Sequence, residues 1–257
     1  MLSTSKVPFS QFPLSQSLVS QSLLNKASLI CLLLFSASSF SSSAQTVPSI
    51  SSTTPSLLIA DFSTENLKDW QSKSFVGETK YTIVQIDEKT ALKAHSKNSA
   101  SGLAKETRID LLKTPFVNWS WKINNGLPGL NEITKDGDDY AARLYVVKSG
   151  GWKVWNTIAL NYVWSSNQSA GSTWNNAFVG DNAKMFSVKG KEATVGVWAT
   201  EKRNVYQDLI LMFGDKGTDK DNQEAYRYLD AVALMTDTDN SQLEATAYYS
   251  DIYFSAD

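Results

Sequence analysis

Alternation of apolar and polar side chains is the feature that most constrains what this sequence can fold into. It is clearest in FVNWSWKI at Phe116–Ile123, where Trp119, Trp121 and Ile123 point one way and the polar residues between them point the other. A period of two is the repeat of a β-strand, and a strand with one apolar face has one side buried and one side wet. The segment therefore predicts a strand that covers a hydrophobic core.

The same pattern recurs along most of the chain, and no window shows a long amphipathic helical repeat. Turn signals such as Asn125-Gly126 and Gly150-Gly151 separate the segments. The predicted strands are 81–86, 91–95, 102–110, 116–123, 140–147, 155–164, 194–203, 208–213, 229–236 and 246–254. A short helix is predicted only near residues 66–70, and residues 214–226 are predicted to be a solvated loop. Many similar strands without helices indicate an all-β fold, a two-sheet antiparallel β-sandwich of jelly-roll type with little helix.

The first 44 residues have the composition of a secretory signal peptide. A positive charge at Lys26 precedes the apolar residues 27–35, and small residues suit cleavage after Ala44. The apolar stretch is shorter than the roughly 20 residues that span a bilayer, so no membrane insertion is expected after cleavage. Residues 45–56 are rich in Ser, Thr and Pro and predict a flexible linker before a single β-sandwich domain at 57–257. The protein is expected in the periplasm or outside the cell.

Cysteine, histidine and charge exclude several classes of function. The single cysteine, Cys31, lies in the signal sequence, so the mature chain has neither a thiol nucleophile nor a disulfide. His95 is the only histidine, which disfavours zinc and leaves one possible base for a Ser-His-acid triad. Cleavage removes Lys6 and Lys26 but no acidic residue, leaving 22 basic and 26 acidic residues and a net charge of −4. That balance disfavours nucleic acid as a partner.

Oxygen-bearing side chains crowd the end of the apolar run YLDAVALMTDTDN. Asp237, Asp239 and Asn240 have a spacing that lets a turn direct several oxygens toward one point. Calcium is the metal that such ligands suit, so these three residues are the candidate metal ligands. The same letters are also ordinary turn chemistry, in which Asp and Asn side chains bond to their own backbone. The residues alone leave both interpretations open.

Two further clusters join acidic residues to an arginine at a strand end. One cluster, in KDGDDYAARLYVV, consists of Asp138, Asp139 and Arg143; the other, in TEKRNVYQD, consists of Glu201, Arg203, Asn204 and Asp208. Arg143 needs a partner within an apolar strand, and Glu201 or Asp208 is the predicted one if the two sheets align. All these residues are candidate ligand-binding residues of one polar site at a sandwich edge. The alternative is a buried structural ion pair.

Aromatic residues are dense in the middle of the chain, where Trp152, Trp155, Trp164 and Trp174 lie close to Tyr162. Tyr162 and Trp164 share one strand face, which predicts core packing first. Trp164 and Trp174, however, stand at the two ends of the polar loop WSSNQSAGSTWNN, where large rings have no core to fill. Tyr162, Trp164 and Trp174 are therefore candidate ligand-binding residues at the rim of the polar site, because sugars stack on rings and pair their hydroxyls with polar groups.

Ten ordered blocks of the sequence carry a resemblance to a known family. They are DFSTENLKDW, FVGETKY, SASGL, WSWKI, KDGDDYAARLYVV, ALNYVWSS, WNNAF, EKRNVYQD, ALMTDTDNS and AYYSDIYF. Together they resemble the bacterial family described as domain of unknown function 3047 from about residue 57 onward, and that resemblance implies no activity. More loosely, the opening with Phe, Leu and Trp and the closing strand YYSDIYF resemble the galactose-binding-like jelly rolls of carbohydrate-binding modules. Fold likeness does not fix function.

Three classes of function remain open. The first is binding of a glycan or another polar small molecule, with or without calcium. The second is a glycoside hydrolase or polysaccharide lyase in which Glu201 acts with Asp139 or Asp208 as a carboxylate pair. The third is a structural envelope protein without a ligand. An exposed tryptophan patch would favour binding, an acid pair deep in a cleft would favour catalysis, and fully buried tryptophans would favour the structural role.

Overall fold

The computed structural model describes residues 56–64 and 67–257, which form two β-sheets around a shared core. The strands are β1 Ser56–Ala60, β2 Gln71–Val76, β3 Lys80–Ile86, β4 Lys89–Lys97, β5 Ala100–Asp110, β6 Phe116–Ile123, β7 Ala142–Lys148, β8 Ile158–Trp164, β9 Thr173–Asn176, β10 Gly180–Lys189, β11 Ala199–Asn204, β12 Tyr228–Asp237, β13 Glu244–Tyr249 and β14 Ile252–Ser255. The helices are α1 Val205–Phe213 and α2 Asp219–Tyr226. The two-sheet β-sandwich with little helix is confirmed. The predicted signal peptide and residues 45–55 of the predicted linker lie outside the described residues.

Sheet I has the strand order β1-β14-β6-β13-β4-β3, and β11 also pairs with β6. Sheet II has the order β2-β5-β12-β7-β8-β10-β9. Neighbouring strands pair antiparallel with one exception, since β10 runs parallel to β8. The strand that carries the oxygen cluster, β12, is central in sheet II, as its long apolar run predicts.

Aromatic rings from both sheets fill the space between them. Trp119 of β6 packs 5.5 Å from Tyr162 of β8, and Trp121 lies 5.8 Å from Trp164, as measured between ring centroids. All four side chains are buried in one core cluster. The prediction that Phe116–Ile123 is a strand covering the core is therefore confirmed, and its two tryptophans pack against Tyr162 and Trp164.

Two predictions of secondary structure are wrong in the segment after β11. Residues 208–213 were predicted as a strand but belong to α1, and the predicted loop 214–226 contains α2. Asn204 caps α1 by accepting a hydrogen bond from the Gln207 N–H, and Thr218 caps α2 by accepting one from Asp221. These capping residues stop the chain from continuing as a strand. The predicted short helix at 66–70 lies partly outside the described residues, and residues 68 and 69 form a turn.

The sequence pattern does not predict four of the strands, namely β1, β2, β9 and β10. The longest of them, β10, is buried on both faces around Met185, Phe186 and Ser187, so it lacks the alternation of a half-exposed strand. The predicted strand 246–254 is split into β13 and β14 by residues 250 and 251. The predicted strand 155–164 starts only at Ile158, because Val154–Asn156 form a 3-10 turn.

Candidate functional site

Arg143 forms a buried ion pair on the face of sheet II turned away from the shared core. Its neighbours Ala142 and Leu144 point into that core, so Arg143 points to the opposite face. The guanidinium donates from Nε to Asp237 Oδ1 at 3.0 Å and from Nη2 to Asp237 Oδ2. It also donates to the Asp138 carbonyl at 2.7 Å, and its Nη1 lies 3.7 Å from Asp138 Oδ2. The predicted pairing of Arg143 with Glu201 or Asp208 is wrong; its partners come from β12 and from the turn before β7.

The candidate metal ligands Asp237 and Asp239 lie next to Asp139. Ligand oxygens of these three carboxylates lie within 4.8 Å of one another, and Asp139 and Asp237 are fully buried. Asp139 accepts backbone hydrogen bonds from Asn240 at 3.3 Å and from Ser241 at 2.6 Å. The acidic turn is therefore tied to the loop before β7 through the Asp139 side chain, whereas the turn interpretation expects bonds from the side chains of the turn itself. The three carboxylates converge, as the calcium interpretation expects.

Arg203 and Asp208 form a second ion pair at the start of α1. Arg203 Nε donates to Asp208 Oδ2 at 2.9 Å, and the Tyr162 hydroxyl donates to the same oxygen at 2.8 Å. Burial raises the pKa of Tyr162 well above its usual range, and the Asp208 charge adds to that effect. The Tyr162 hydroxyl therefore stays protonated and donates its hydrogen bond to Asp208.

Glu201 lies close to this second pair. Its Oε1 is 3.2 Å from Lys189 Nζ and accepts a hydrogen bond from Trp121 Nε1 at 3.3 Å. Burial raises the pKa of the Glu201 carboxyl, and the Lys189 charge acts in the opposite direction. Glu201 and Arg203 do share one strand face, since they stand opposite the inward-facing Trp119 and Val117.

The structure does not bring the predicted site residues into one site. Tyr162 points into the shared core and donates to Asp208, whereas Arg143 points away from that core and donates to Asp237. The two ion-pair clusters, Arg143 with Asp138 and Asp237 and Arg203 with Asp208, therefore lie on opposite sides of sheet II. Of the two candidate carboxylate pairs, Glu201 and Asp208 both lie near Arg203, whereas Asp139 lies with Asp237 on the other side of sheet II. Asn204 is the cap of α1.

The predicted tryptophan rim is also different from the expectation. Trp164 is only 2% exposed and belongs to the core. Trp174 is half-buried, stacks on Tyr140 with 6.4 Å between ring centroids, and donates from Nε1 to the Tyr140 hydroxyl at 3.3 Å. Tyr140 in turn lies over Arg143, with the guanidinium carbon 4.2 Å from the ring centroid. Trp174 is thus linked to Arg143 through Tyr140.

Two other tryptophans are exposed instead. Trp152 and Trp155, on the loop between β7 and β8, are 79% and 63% exposed, and their ring centroids lie 6.4 Å apart. We call this pair the Trp corner, because the ring planes meet at 82°. The sequence signal for it is limited to the Gly150-Gly151 turn before Trp152, because the sequence pattern includes Trp155 in the predicted strand 155–164.

The loop that carries the Trp corner is anchored at both ends. Ser149 N–H donates to Asp230 Oδ2 at 2.8 Å, and Gly150 N–H donates to Thr157 Oγ1 at 3.1 Å. Between them the 3-10 turn Val154–Asn156 is closed by backbone hydrogen bonds. The exposed rings therefore stand on an ordered segment.

A row of polar side chains adjoins Trp155. Asn182 Nδ2 donates to the Trp155 carbonyl at 2.6 Å, and the neighbouring Asp181 accepts from Asn175 Nδ2 at 2.8 Å. Lys184 Nζ lies 2.6 Å from Asn175 Oδ1 and 3.1 Å from Asp181 Oδ1. We call Asn175, Asp181, Asn182 and Lys184 the polar row. It presents amide, carboxylate and ammonium groups, and Asn182 joins it to the backbone of Trp155.

Within the part of the chain that the structure describes, no helix has the length and apolar character needed to cross a membrane.

Several solved structures are similar to this chain, and among them are carbohydrate-binding modules, in line with the looser resemblance in the sequence. One is a family 11 carbohydrate-binding module from Clostridium thermocellum in complex with a β-1,3-1,4-mixed-linked tetrasaccharide, at 12% identity over 77% of this chain and 94% of that chain, with a TM-score of 0.37. Another is the family 11 module of the cellulosomal cellulase Lic26A-Cel5E of the same organism, at 13% identity over 79% and 95%, with a TM-score of 0.41. A third is TmCBM61 in complex with β-1,4-galactotriose, at 8% identity over 76% and 92%, with a TM-score of 0.35. Likeness at this level identifies neither a ligand nor a site in this chain.

A search of curated proteins finds no significant match to this sequence. A family profile, by contrast, matches residues 68–253, which is most of the chain. The blocks that resemble that family in the sequence lie largely within this range. The chain belongs to the family described as Protein of unknown function (DUF3047).

Proposed function

We propose that this protein binds carbohydrate at the Trp corner, with the polar row pairing with sugar hydroxyls. The exposure of Trp152 and Trp155 on an anchored loop carries the proposal. Exposure of large apolar rings to water is energetically unfavourable, and exposed apolar patches mark binding sites. An indole can bury its face by stacking on the apolar face of a sugar. An exposed tryptophan patch is the feature that distinguishes binding from a purely structural role.

The energy available to such a site is substantial. A tryptophan can bury roughly 150–250 Å². Covering half of one indole therefore removes on the order of 100 Å² from water, which at about 25 cal/mol per Å² stabilises a complex by roughly 2.5 kcal/mol. The polar row supplies what a bare ring lacks, because it offers both hydrogen-bond donors and acceptors and is joined to Trp155 through Asn182.

The proposal places the protein in the periplasm or outside the cell. A basic residue, an apolar stretch and small residues at the N-terminus support export, and the absence of cysteine beyond Cys31 suits a bacterial exported protein. Carbohydrate polymers are abundant in those compartments.

Calcium is a second part of the proposal, with Asp139, Asp237 and Asp239 as ligands. Their convergence within 4.8 Å supports it, because calcium takes several carboxylate oxygens at once. Thermal melting of the protein with EDTA and then with added calcium tests it. We expect a melting temperature several degrees higher with calcium, because a ligand that binds only the folded state stabilises it; an unchanged temperature would leave turn chemistry as the role of these residues.

Affinity electrophoresis in gels that contain soluble polysaccharides tests carbohydrate binding. The gels should cover neutral glucans, mannans and galactans, with the wild type run beside Trp152→Ala and Trp155→Ala. Trp198→Ala is the matched control, because Trp198 is a partly exposed tryptophan next to β11 of sheet I, where it donates to Asp87 at 3.1 Å. We expect at least one polymer to retard the wild type and the control more strongly than it retards either corner variant. Equal mobility of all four proteins in every gel would contradict the proposal.

A further inference from the structure

The Trp corner differs from a flat binding surface in the angle between its rings. The planes of Trp152 and Trp155 meet at 82° with centroids 6.4 Å apart. A row of sugars lying on an ordered polysaccharide surface can stack on several rings only if those rings are parallel and coplanar. A sugar that stacks on one of these two indoles lies nearly perpendicular to the plane of the other indole.

The two rings are not equivalent. Lys153 Nζ lies over Trp152, 4.9 Å from the ring centroid, so an ammonium group covers one face of that indole. Trp155 is fixed through its carbonyl to Asn182 of the polar row. The polar row is therefore attached to the segment of Trp155, which makes Trp155 the stacking surface and leaves Trp152 as a wall.

The backbone that carries the two rings is held by hydrogen bonds before any ligand arrives. The loop is anchored through Ser149 to Asp230 and through Gly150 to Thr157, and the turn Val154–Asn156 carries Trp155. A site whose geometry is set in advance loses less entropy on binding, and it also rejects ligands that do not fit that geometry. An extended flat array would collide with Trp152 when it stacks on Trp155.

Resting on the proposed function, we propose that the Trp corner takes one sugar ring of a single glycan chain or chain end, and that it does not bind ordered polysaccharide surfaces. Trp155 stacks on the ring, Trp152 contacts its edge, and the polar row pairs with its hydroxyls. The ligand class is thus a soluble, separately solvated glycan chain.

Paired binding assays test this inference. The probes are soluble neutral glucan, mannan and galactan in affinity gels, and microcrystalline cellulose and chitin in pull-down assays, each with wild type, Trp155→Ala, Trp152→Ala, Trp152→Phe and the control Trp198→Ala. We expect binding to a soluble chain and none above background to the crystalline polymers. Removal of Trp155 should weaken that binding roughly thirtyfold or more, as for a central aromatic anchor. Trp152→Ala should weaken it less, and Trp152→Phe should retain most of it because the wall remains.

The outcomes separate the two proposals. Trp155-dependent binding to microcrystalline cellulose or chitin would overturn the single-chain inference while leaving carbohydrate binding intact. Binding of the Trp152→Ala variant to a soluble chain at the wild-type level would contradict the claim that Trp152 contacts the bound sugar. No binding to any probe would overturn carbohydrate binding and the inference together.

Discussion

Arg143 and Asp237 join β7 to β12 through two hydrogen bonds between guanidinium and carboxylate, on the face of sheet II turned away from the shared core. Both side chains are almost fully buried. The pair resolves a question that the sequence poses, namely why acidic residues crowd the end of an apolar strand. At least one of them, Asp237, acts with Asp138 to neutralise the buried Arg143 of the neighbouring strand.

Arg143→Met should destabilise the protein strongly, because Asp237 and the adjacent Asp138 would remain buried without their cation. The expected loss is about 3–5 kcal/mol of unfolding free energy, the usual result of removing one partner of a buried pair. Urea unfolding followed by circular dichroism measures it. The double variant with Asp237→Asn should recover part of the loss, and a single-variant loss below about 1 kcal/mol would show that the pair does not hold the sheet.

Trp164→Ala and Trp155→Ala should separate core from surface. Trp164 is buried against Trp121, so its removal should cost about 3–5 kcal/mol of stability. Trp155 is mostly exposed, so its removal should change stability by no more than about 0.5 kcal/mol. Urea unfolding of both variants checks this, and similar losses in the two would contradict the assignment of Trp155 to the surface.

Glu132 should make stability depend on pH. Burial raises the pKa of its carboxyl above the ordinary value of 4.5, although Ser165 and Asn167 donate hydrogen bonds to it. The folded state therefore holds the proton to a higher pH than the unfolded chain does, so this group's contribution to stability falls as pH rises from the unfolded pKa through the folded pKa. Glu132→Gln does not titrate, so the unfolding free energy of the wild type minus that of the variant should decrease across this window and be constant on either side. Urea unfolding from pH 4 to pH 8 measures the difference, and a difference that increases with pH would refute the assignment.

Asn204 should matter for helix stability. Its side chain accepts the Gln207 N–H at 3.1 Å and so caps α1. Asn204→Ala should cost about 1 kcal/mol, whereas Asn204→Asp should keep the cap and most of the stability. Thermal melting of the two variants compares them, and equal melting temperatures for alanine and aspartate would mean that the cap contributes nothing.

Strands with one wet face were predictable from the sequence. Apolar and polar residues alternate along Phe116–Ile123 because β6 has the core on one side only. The long apolar run of β12 is typical of a central strand. The helix α1 was not found, because VYQDLILMF is rich in apolar residues that also suit a strand, and only the cap at Asn204 distinguishes the two. In β10, burial on both faces removes the period of two.

The candidate site was predictable only in its parts. Residue types indicate the acids and arginines, but the partner of Arg143 depends on strand order. That order places β12 next to β7, whereas Glu201 lies on β11 of sheet I and Asp208 in α1. Tryptophan exposure is likewise a tertiary property. Trp164 ends a strand whose inner face is full of aromatic rings, whereas Trp155 lies just before that strand begins, and the local sequence does not reveal that boundary.

The most direct test of carbohydrate binding at the Trp corner is a nuclear magnetic resonance titration of the tryptophan side chains. The indole N–H signals of the purified protein are followed while the soluble polysaccharide that retards it most in affinity gels is added, or each neutral test polymer in turn if none does; the Trp152→Ala, Trp155→Ala and Trp164→Phe variants assign the relevant signals. We predict saturable shifts of the Trp152 and Trp155 signals with an unchanged Trp164 signal. Shifts that spare Trp152 and Trp155, or no shift with any polymer, would contradict the account.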